Sequence, residues 1–133
     1  MYLKYDDVPG PICYRNNGFL TVTDANLCLG RILPKYFPKI FGPQKDQPLD
    51  KNATINAFKV LTQNINQFIK NSDSYDKKQL TVEEVAIGFI KVANEAMCRP
   101  IRNITQGKGY DTSNHILACF GGAGKVVNNL RLL

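Results

Sequence analysis

Four residues late in the chain, Gly121, Gly122, Ala123 and Gly124, carry its plainest chemical signal. They follow the apolar run Ile116 to Phe120, which reads as a buried strand. Three glycines in four positions let the backbone take positive φ and admit another group close to the main chain. A strand emptying into such a turn can present backbone N–H groups to a phosphate or a nucleotide. The same pattern also makes a tight strand-to-helix connection, and spacing alone leaves both readings open. His115, the one histidine, stands just before that strand. It suits proton transfer near neutral pH and equally a hydrogen-bonded structural side chain. Asp111 lies in the polar turn before it, where an Asx-turn is the simplest role. The four cysteines, Cys13, Cys28, Cys98 and Cys119, form no Cys-x-x-Cys pair. With one histidine beside them they do not suggest structural zinc. They read as buried thiols of a reducing compartment.

The elements that must position these residues are those of one domain of 133 residues. The chain is 44% hydrophobic and 21% charged, which suits a soluble globular protein. No apolar run approaches the ~20 residues needed to span a bilayer. The first residues hold no apolar signal core, so a cytoplasmic location is expected and a membrane is not. The net charge of +6 is scattered, with Lys77-Lys78 the only basic doublet. No basic run is interleaved with aromatics, so nucleic acid is not expected as a partner.

Along the chain, Ile12 to Tyr14 and Phe19 to Val22 flank the turn signal Asn17-Gly18 and predict a hairpin over 12–22. A helix follows, capped by Thr23 or Asp24, with Ala25, Cys28, Leu29 and Ile32 on one face and Pro34 at its end. Residues 34–48 hold Pro34, Pro38, Pro43 and Pro48 among Tyr36, Phe37, Ile40 and Phe41. They read as an irregular apolar segment lying against a core. Residues 50–71 predict a helix capped by Asp50, with Ile55, Phe58, Leu61, Ile65, Phe68 and Ile69 at helical spacing. Thr81 and Glu84 form a capping box for the next helix, which Pro100 should kink or end. Gln106 to Gly109 breaks it, and the strand, the glycine turn and a short final helix complete the order.

Several segments together resemble a known family. Gly10-Pro-Ile-Cys-Tyr-Arg15, Leu20-Thr-Val-Thr-Asp-Ala-Asn26, Leu29-Gly-Arg31 and Tyr36-Phe-Pro-Lys-Ile-Phe-Gly-Pro43 are similar to successive motifs of the 5-oxoprolinases, in the hydantoinase A group of ATP-dependent amidohydrolases. The likeness resumes from Glu83 through Ala96-Met-Cys-Arg-Pro-Ile101 and runs on to Cys119-Phe-Gly-Gly-Ala-Gly124. It covers roughly residues 8–124 of a single partial domain, 1–133, whose residues 125–133 diverge.

The resemblance implies cleavage of 5-oxo-L-proline to L-glutamate, coupled to ATP hydrolysis in glutathione turnover, with ATP and Mg²⁺ as cofactors. It implies an α-rich α/β fold, a partial lobe of an actin- or sugar-kinase-like ATPase. That lobe would hold a short hairpin, two long helices and a strand–glycine turn–helix. By that match Gly121, Gly122, Ala123 and Gly124 face the nucleotide. The hairpin over 12–22 and the Thr23-Asp-Ala-Asn26 segment become a second active-site segment. Asp24 would then hold Mg²⁺ through water or position a nucleophile, with helix capping as the alternative. Asn26 would hydrogen-bond substrate. Cys13 would line the site or serve as a buried structural thiol.

Three departures stand beside the match. The family's Asp-x-Gly-Gly-Thr phosphate-binding segment has no counterpart in the chain. Asn16-Asn-Gly-Phe19 replaces a Gly-Gly-Pro pattern. Lys125 to Leu133 replaces a Gly-Gln-His-Ala continuation, as a frameshifted or truncated copy of a longer gene would. The chain alone is therefore expected to be inactive. The alternative is a non-catalytic module that docks to a full-length oxoprolinase or hydantoinase-like subunit.

Overall fold

A computed structural model of the chain describes residues 10–72 and 78–114. The chain divides into two compact units, one to Phe89 and one from Ile90. Three α-helices dominate: α1 (Val22–Cys28), α2 (Lys51–Asn71) and α3 (Val82–Gly107). Short 3₁₀ turns cover Ile12–Tyr14, Pro34–Tyr36 and Thr112–Asn114. Among the described residues there is no strand, only the isolated bridges Pro11 to Phe19 and Phe41 to Gln47. The α-rich character therefore stands. The expected strand, glycine turn and final helix lie outside the described residues.

The expected hairpin over 12–22 is not formed. Ile12–Tyr14 is a 3₁₀ turn, and the Pro11–Phe19 bridge is parallel. The reason lies in the hydrogen-bond partners. A strand would offer its amides to a neighbouring strand, but here the N–H of Cys13 donates to the Asp24 carboxylate at 2.9 Å. Residues after Phe19 cannot continue as a strand either, because Thr21 caps a helix that starts at Val22. The cap is thus Thr21 and not Thr23 or Asp24. Asp24 is the N3 member of a capping box, its side chain accepting from the Thr21 N–H at 3.0 Å.

The helix also ends sooner than its apolar spacing suggested. Gly30 takes φ +71°. Its N–H donates to Leu27 O, and that of Arg31 to Asn26 O at 2.9 Å. This is a Schellman motif, which leaves Ile32 beyond the helix. The Asn17-Gly18 turn is real. A Cβ on Gly18 would overlap the carbonyl oxygen of Gly10, so the two segments meet backbone to backbone.

α2 and α3 begin where their sequence signals put them. Asp50 Oδ1 accepts from Ala53 N at 2.9 Å. Thr81 and Glu84 exchange backbone-to-side-chain bonds of 2.8 and 3.2 Å. Asn66 on α2 ties the entry to α3, pairing with both the N–H and the C=O of Leu80 at 2.8 and 2.9 Å. Pro100 does not end α3, which continues to Gly107. Gly109, at φ +78°, closes it with a second Schellman motif in which Tyr110 N donates to Thr105 O at 2.9 Å.

Packing in the first unit has two centres. Cys13, Leu27 and Leu49 are buried together, with Tyr14, Ile32 and Phe41 packed on them. Tyr14 and Phe41 stack at 4.5 Å between ring centroids. Phe58 of α2 is fully buried and meets Phe89 of α3 edge to face at 5.3 Å. Each aromatic pair is worth about 0.5–1.5 kcal/mol beyond the area it buries. The expectation for 34–48 holds only for Phe41. Tyr36, Phe37 and Ile40 are exposed.

Candidate active-site segment around Asp24

The sequence brings three separated stretches to one carboxylate. Asp24 is 0% exposed. Its Oδ1 accepts from Cys13 N at 2.9 Å and from the Thr54 hydroxyl at 3.1 Å. Its Oδ2 accepts from Ile12 N at 3.2 Å, Thr21 N at 3.0 Å and the Thr21 hydroxyl at 2.9 Å. Five donors therefore surround the two oxygens. The single proton of Thr54 is shared, since Asp50 O also lies 3.1 Å from its hydroxyl. Donors to a carboxylate make shorter and stronger bonds than neutral pairs. Asp24 thus ties the 12–14 turn, the start of α1 and the first turn of α2 into one knot.

The other side of the 12–15 turn is held by the N-terminus of α2. Cys13 O accepts from Asp50 N at 2.9 Å, and Tyr14 O from Gly42 N at 3.1 Å. Arg15 sits at φ 61°, a left-handed conformation that is uncommon for a side chain of its size. Its guanidinium explains why it stays there. Nη1 meets Asp50 Oδ2 at 2.8 Å and Nε donates to Pro48 O at 3.0 Å. Asp50 therefore caps α2 with one oxygen and pairs with Arg15 through the other.

Cys13 lies inside this knot, 0% exposed. Burial, and after it the negative charge of Asp24, pushes its thiol well above the ordinary value of 9.0. A thiol held neutral in this way is a poor nucleophile and a good packing group. Burial raises Tyr14 and Cys28 as well. Asn26 is 4% exposed, and its Nδ2 donates to Val22 O at 2.9 Å, one turn back along α1.

These geometries bear on the expected roles. Every atom around the Asp24 oxygens is a hydrogen donor, and donors repel a cation. The carboxylate thus fills the helix-capping role given as the alternative, with both of its oxygens taken by donors. Among the described residues no group of three His, Cys, Asp or Glu is placed to hold a metal. Asp111 forms the Asx-turn, accepting from Ser113 N at 2.9 Å. His115 and Gly121 to Gly124 lie outside the described residues. Among the described residues no helix is long and apolar enough to cross a membrane.

Sequence reasoning missed Thr21, Thr54 and the second role of Asp50. Thr21 had a readable signal, the three-residue spacing to Asp24. Thr54 shares the buried stripe of α2 with Phe58 and Thr62, where a threonine among apolar positions marks a buried hydrogen bond. Nothing local links Thr54 to Asp24, thirty positions earlier.

The hydantoinase/oxoprolinase family matches residues 6–130. A 5-oxoprolinase of Dictyostelium discoideum is 63% identical over 116 residues, which is 87% of this chain and 9% of that protein. The 5-oxoprolinase 1 of Arabidopsis thaliana is 60% identical over the same shares. A caprolactamase subunit alpha of Pseudomonas jessenii is 32% identical over 116 residues, 86% of this chain and 14% of its own. The chain thus spans about a tenth of the length of the curated relatives it matches. No solved structure matches it.

Proposed function

The chain belongs to the hydantoinase/oxoprolinase family, and from that membership we propose that it is a segment of an ATP-coupled amide hydrolase that opens 5-oxo-L-proline to L-glutamate. The observation that carries this reading is the 63% identity to a 5-oxoprolinase over 116 residues. The names of the relatives point to one bond type, since 5-oxoproline and caprolactam are both cyclic amides. An unstrained amide resists water, and coupling to ATP supplies the free energy for opening it. ATP, with Mg²⁺, provides the phosphoryl chemistry when bound. The described residues assign no ligand to the metal.

In this reading each part of the chain has a distinct task. Gly121, Gly122, Ala123 and Gly124 offer backbone donors to the nucleotide, in a partial lobe of actin- or sugar-kinase-like type. Asn26 and Asp24 belong to the substrate side. Asp24 acts there as a positioning residue: it holds the Ile12–Cys13 amides and Thr54, and through them the surface that substrate meets. Cys13 fills the floor as a neutral thiol. The enzyme acts in the cytoplasm, in glutathione turnover.

The test is a chimaera. The matching 116 residues of the Dictyostelium 5-oxoprolinase are replaced by those of this chain. The expected result is ATP hydrolysis that depends on 5-oxoproline. A folded chimaera that binds ATP but shows no such turnover would overturn the reading.

A further inference from the structure

Between Asp24 and Asp46 the chain holds no acidic residue, while Arg31, Lys35 and Lys39 are basic and exposed. Interleaved with them are four large apolar side chains turned to solvent. Tyr36 is 73% exposed, Ile40 56%, Leu33 48% and Phe37 42%. Pro34 sets a 3₁₀ turn that spreads these side chains, with Phe37 N donating to Pro34 O at 3.1 Å. The base of the segment is fixed, because Ile32 and Phe41 pack on the Cys13–Leu27–Leu49 core. Lys35 lies over the Tyr36 ring at 4.7 Å from its centroid. The result is a short, anchored segment along which exposed apolar and basic side chains are interleaved.

Isolated apolar side chains on a surface are ordinary, but four within eight residues form a patch of the kind that marks an interface. The charge pattern restricts what fits: an apolar surface edged by carboxylates. The length of the relatives supplies the source. In the 5-oxoprolinases matched across this segment, about nine-tenths of the polypeptide lies outside the matched region. We propose that residues 31–40 are a docking surface for the remainder of an oxoprolinase polypeptide, which meets it with an apolar face edged by Asp and Glu. The proposal rests on the oxoprolinase reading above. It adds the face through which this segment joins the rest of the enzyme.

The test compares the 133-residue chain with the chimaera. Tyr36→Cys is placed in both, and the rate of maleimide labelling at position 36 is read by peptide mapping. The expected result is a rate about tenfold or more lower in the chimaera, as burial against a partner surface gives. Equal rates would overturn the proposal. The same label at the aligned position of the Dictyostelium enzyme repeats the measurement in a natural full-length sequence, and fast labelling there would overturn it too. A second pair of variants reads energetics. Tyr36→Ser with Phe37→Ser should leave the unfolding midpoint of the 133-residue chain unchanged and lower that of the chimaera. Sedimentation of the 133-residue chain with phosphatidylserine vesicles, abolished by the same double change, would assign the patch to membranes instead. The 5-oxoproline-dependent turnover of the chimaera is a separate readout. An active chimaera with unprotected position 36 removes this proposal and leaves the functional one. An inactive but protected chimaera does the reverse.

Discussion

At Asp24 one side chain does what a sheet would otherwise do, giving backbone amides their acceptors. Replacing it with Asn keeps the volume but turns one acceptor into an NH₂ group facing N–H donors. Hydrogen bonds to a charged group are worth about 1.5–3 kcal/mol each and leave unpaired donors when broken, so Asp24→Asn should cost about 2–3 kcal/mol of folding stability. Thr54→Val, which removes one hydroxyl donor from the same oxygen, should cost about 1 kcal/mol. Urea unfolding of the two variants measures both. An Asp24→Asn protein as stable as the parent would show that the knot is held by something else. Cys13 gives a pH dependence of defined sign. Its folded thiol is raised above 9.0 by burial and then by Asp24. Its contribution is therefore complete below pH 9.0. As pH rises past 9.0 the unfolded chain loses a proton that the native chain retains, and stability falls. In Cys13→Ala that part of the alkaline decline should disappear, and identical slopes in the two proteins would contradict the raised thiol.

Helices with both a cap and a periodic face were legible, and the rest was not. α2 and α3 announce themselves through Asp50, Thr81 and Glu84, whose hydrogen bonds run within one turn. The Thr21–Asp24 box has the same spacing with a shorter acid, and the β-branched pair Thr21-Val22 after Asn17-Gly18 masked it as a strand. The hairpin reading failed because the Cys13 N–H is taken by a carboxylate eleven positions away, which no local pattern encodes, and the Tyr14 N–H turns back to Pro11 O. The aromatic segment misled for a related reason: composition reveals apolar side chains, not what covers them. Of the two outcomes expected at Pro100, a kink or an end, the end is excluded, since α3 continues to Gly107. A proline removes one N–H and leaves the carbonyl four residues back without a donor. Here that residue is Ala96, which is exposed. Thr81→Ala tests the legible part and should cost about 1 kcal/mol, the usual worth of an N-cap. Gly18→Ala tests the illegible part. Its new Cβ would overlap the Gly10 carbonyl, and because backbone must move it should cost more than about 2 kcal/mol. Both are read as shifts in the denaturant midpoint. A Gly18→Ala protein of parental stability would mean that the two segments do not meet as described.

Over the whole chain, the identifiable chemistry and the described architecture fall in different places. The glycine turn proposed for nucleotide lies at 121–124, whereas the knot around Asp24 positions backbone. Phosphoryl transfer requires a metal, several phosphate donors and a cleft that excludes water, all fixed at once. The relatives assemble their activity over chains of which the matched residues are 9%. A net charge of +6 would draw ATP weakly to the surface, but attraction without positioning does not lower a barrier. The purified 133-residue chain should therefore show no ATP hydrolysis that depends on 5-oxoproline, while the chimaera built on the Dictyostelium enzyme does. A coupled assay with and without 5-oxoproline separates the two. Turnover that co-purifies with the 133-residue chain and vanishes in Gly122→Val would locate a complete ATP site within these residues, and would transfer to them the catalytic role assigned above to the larger enzyme.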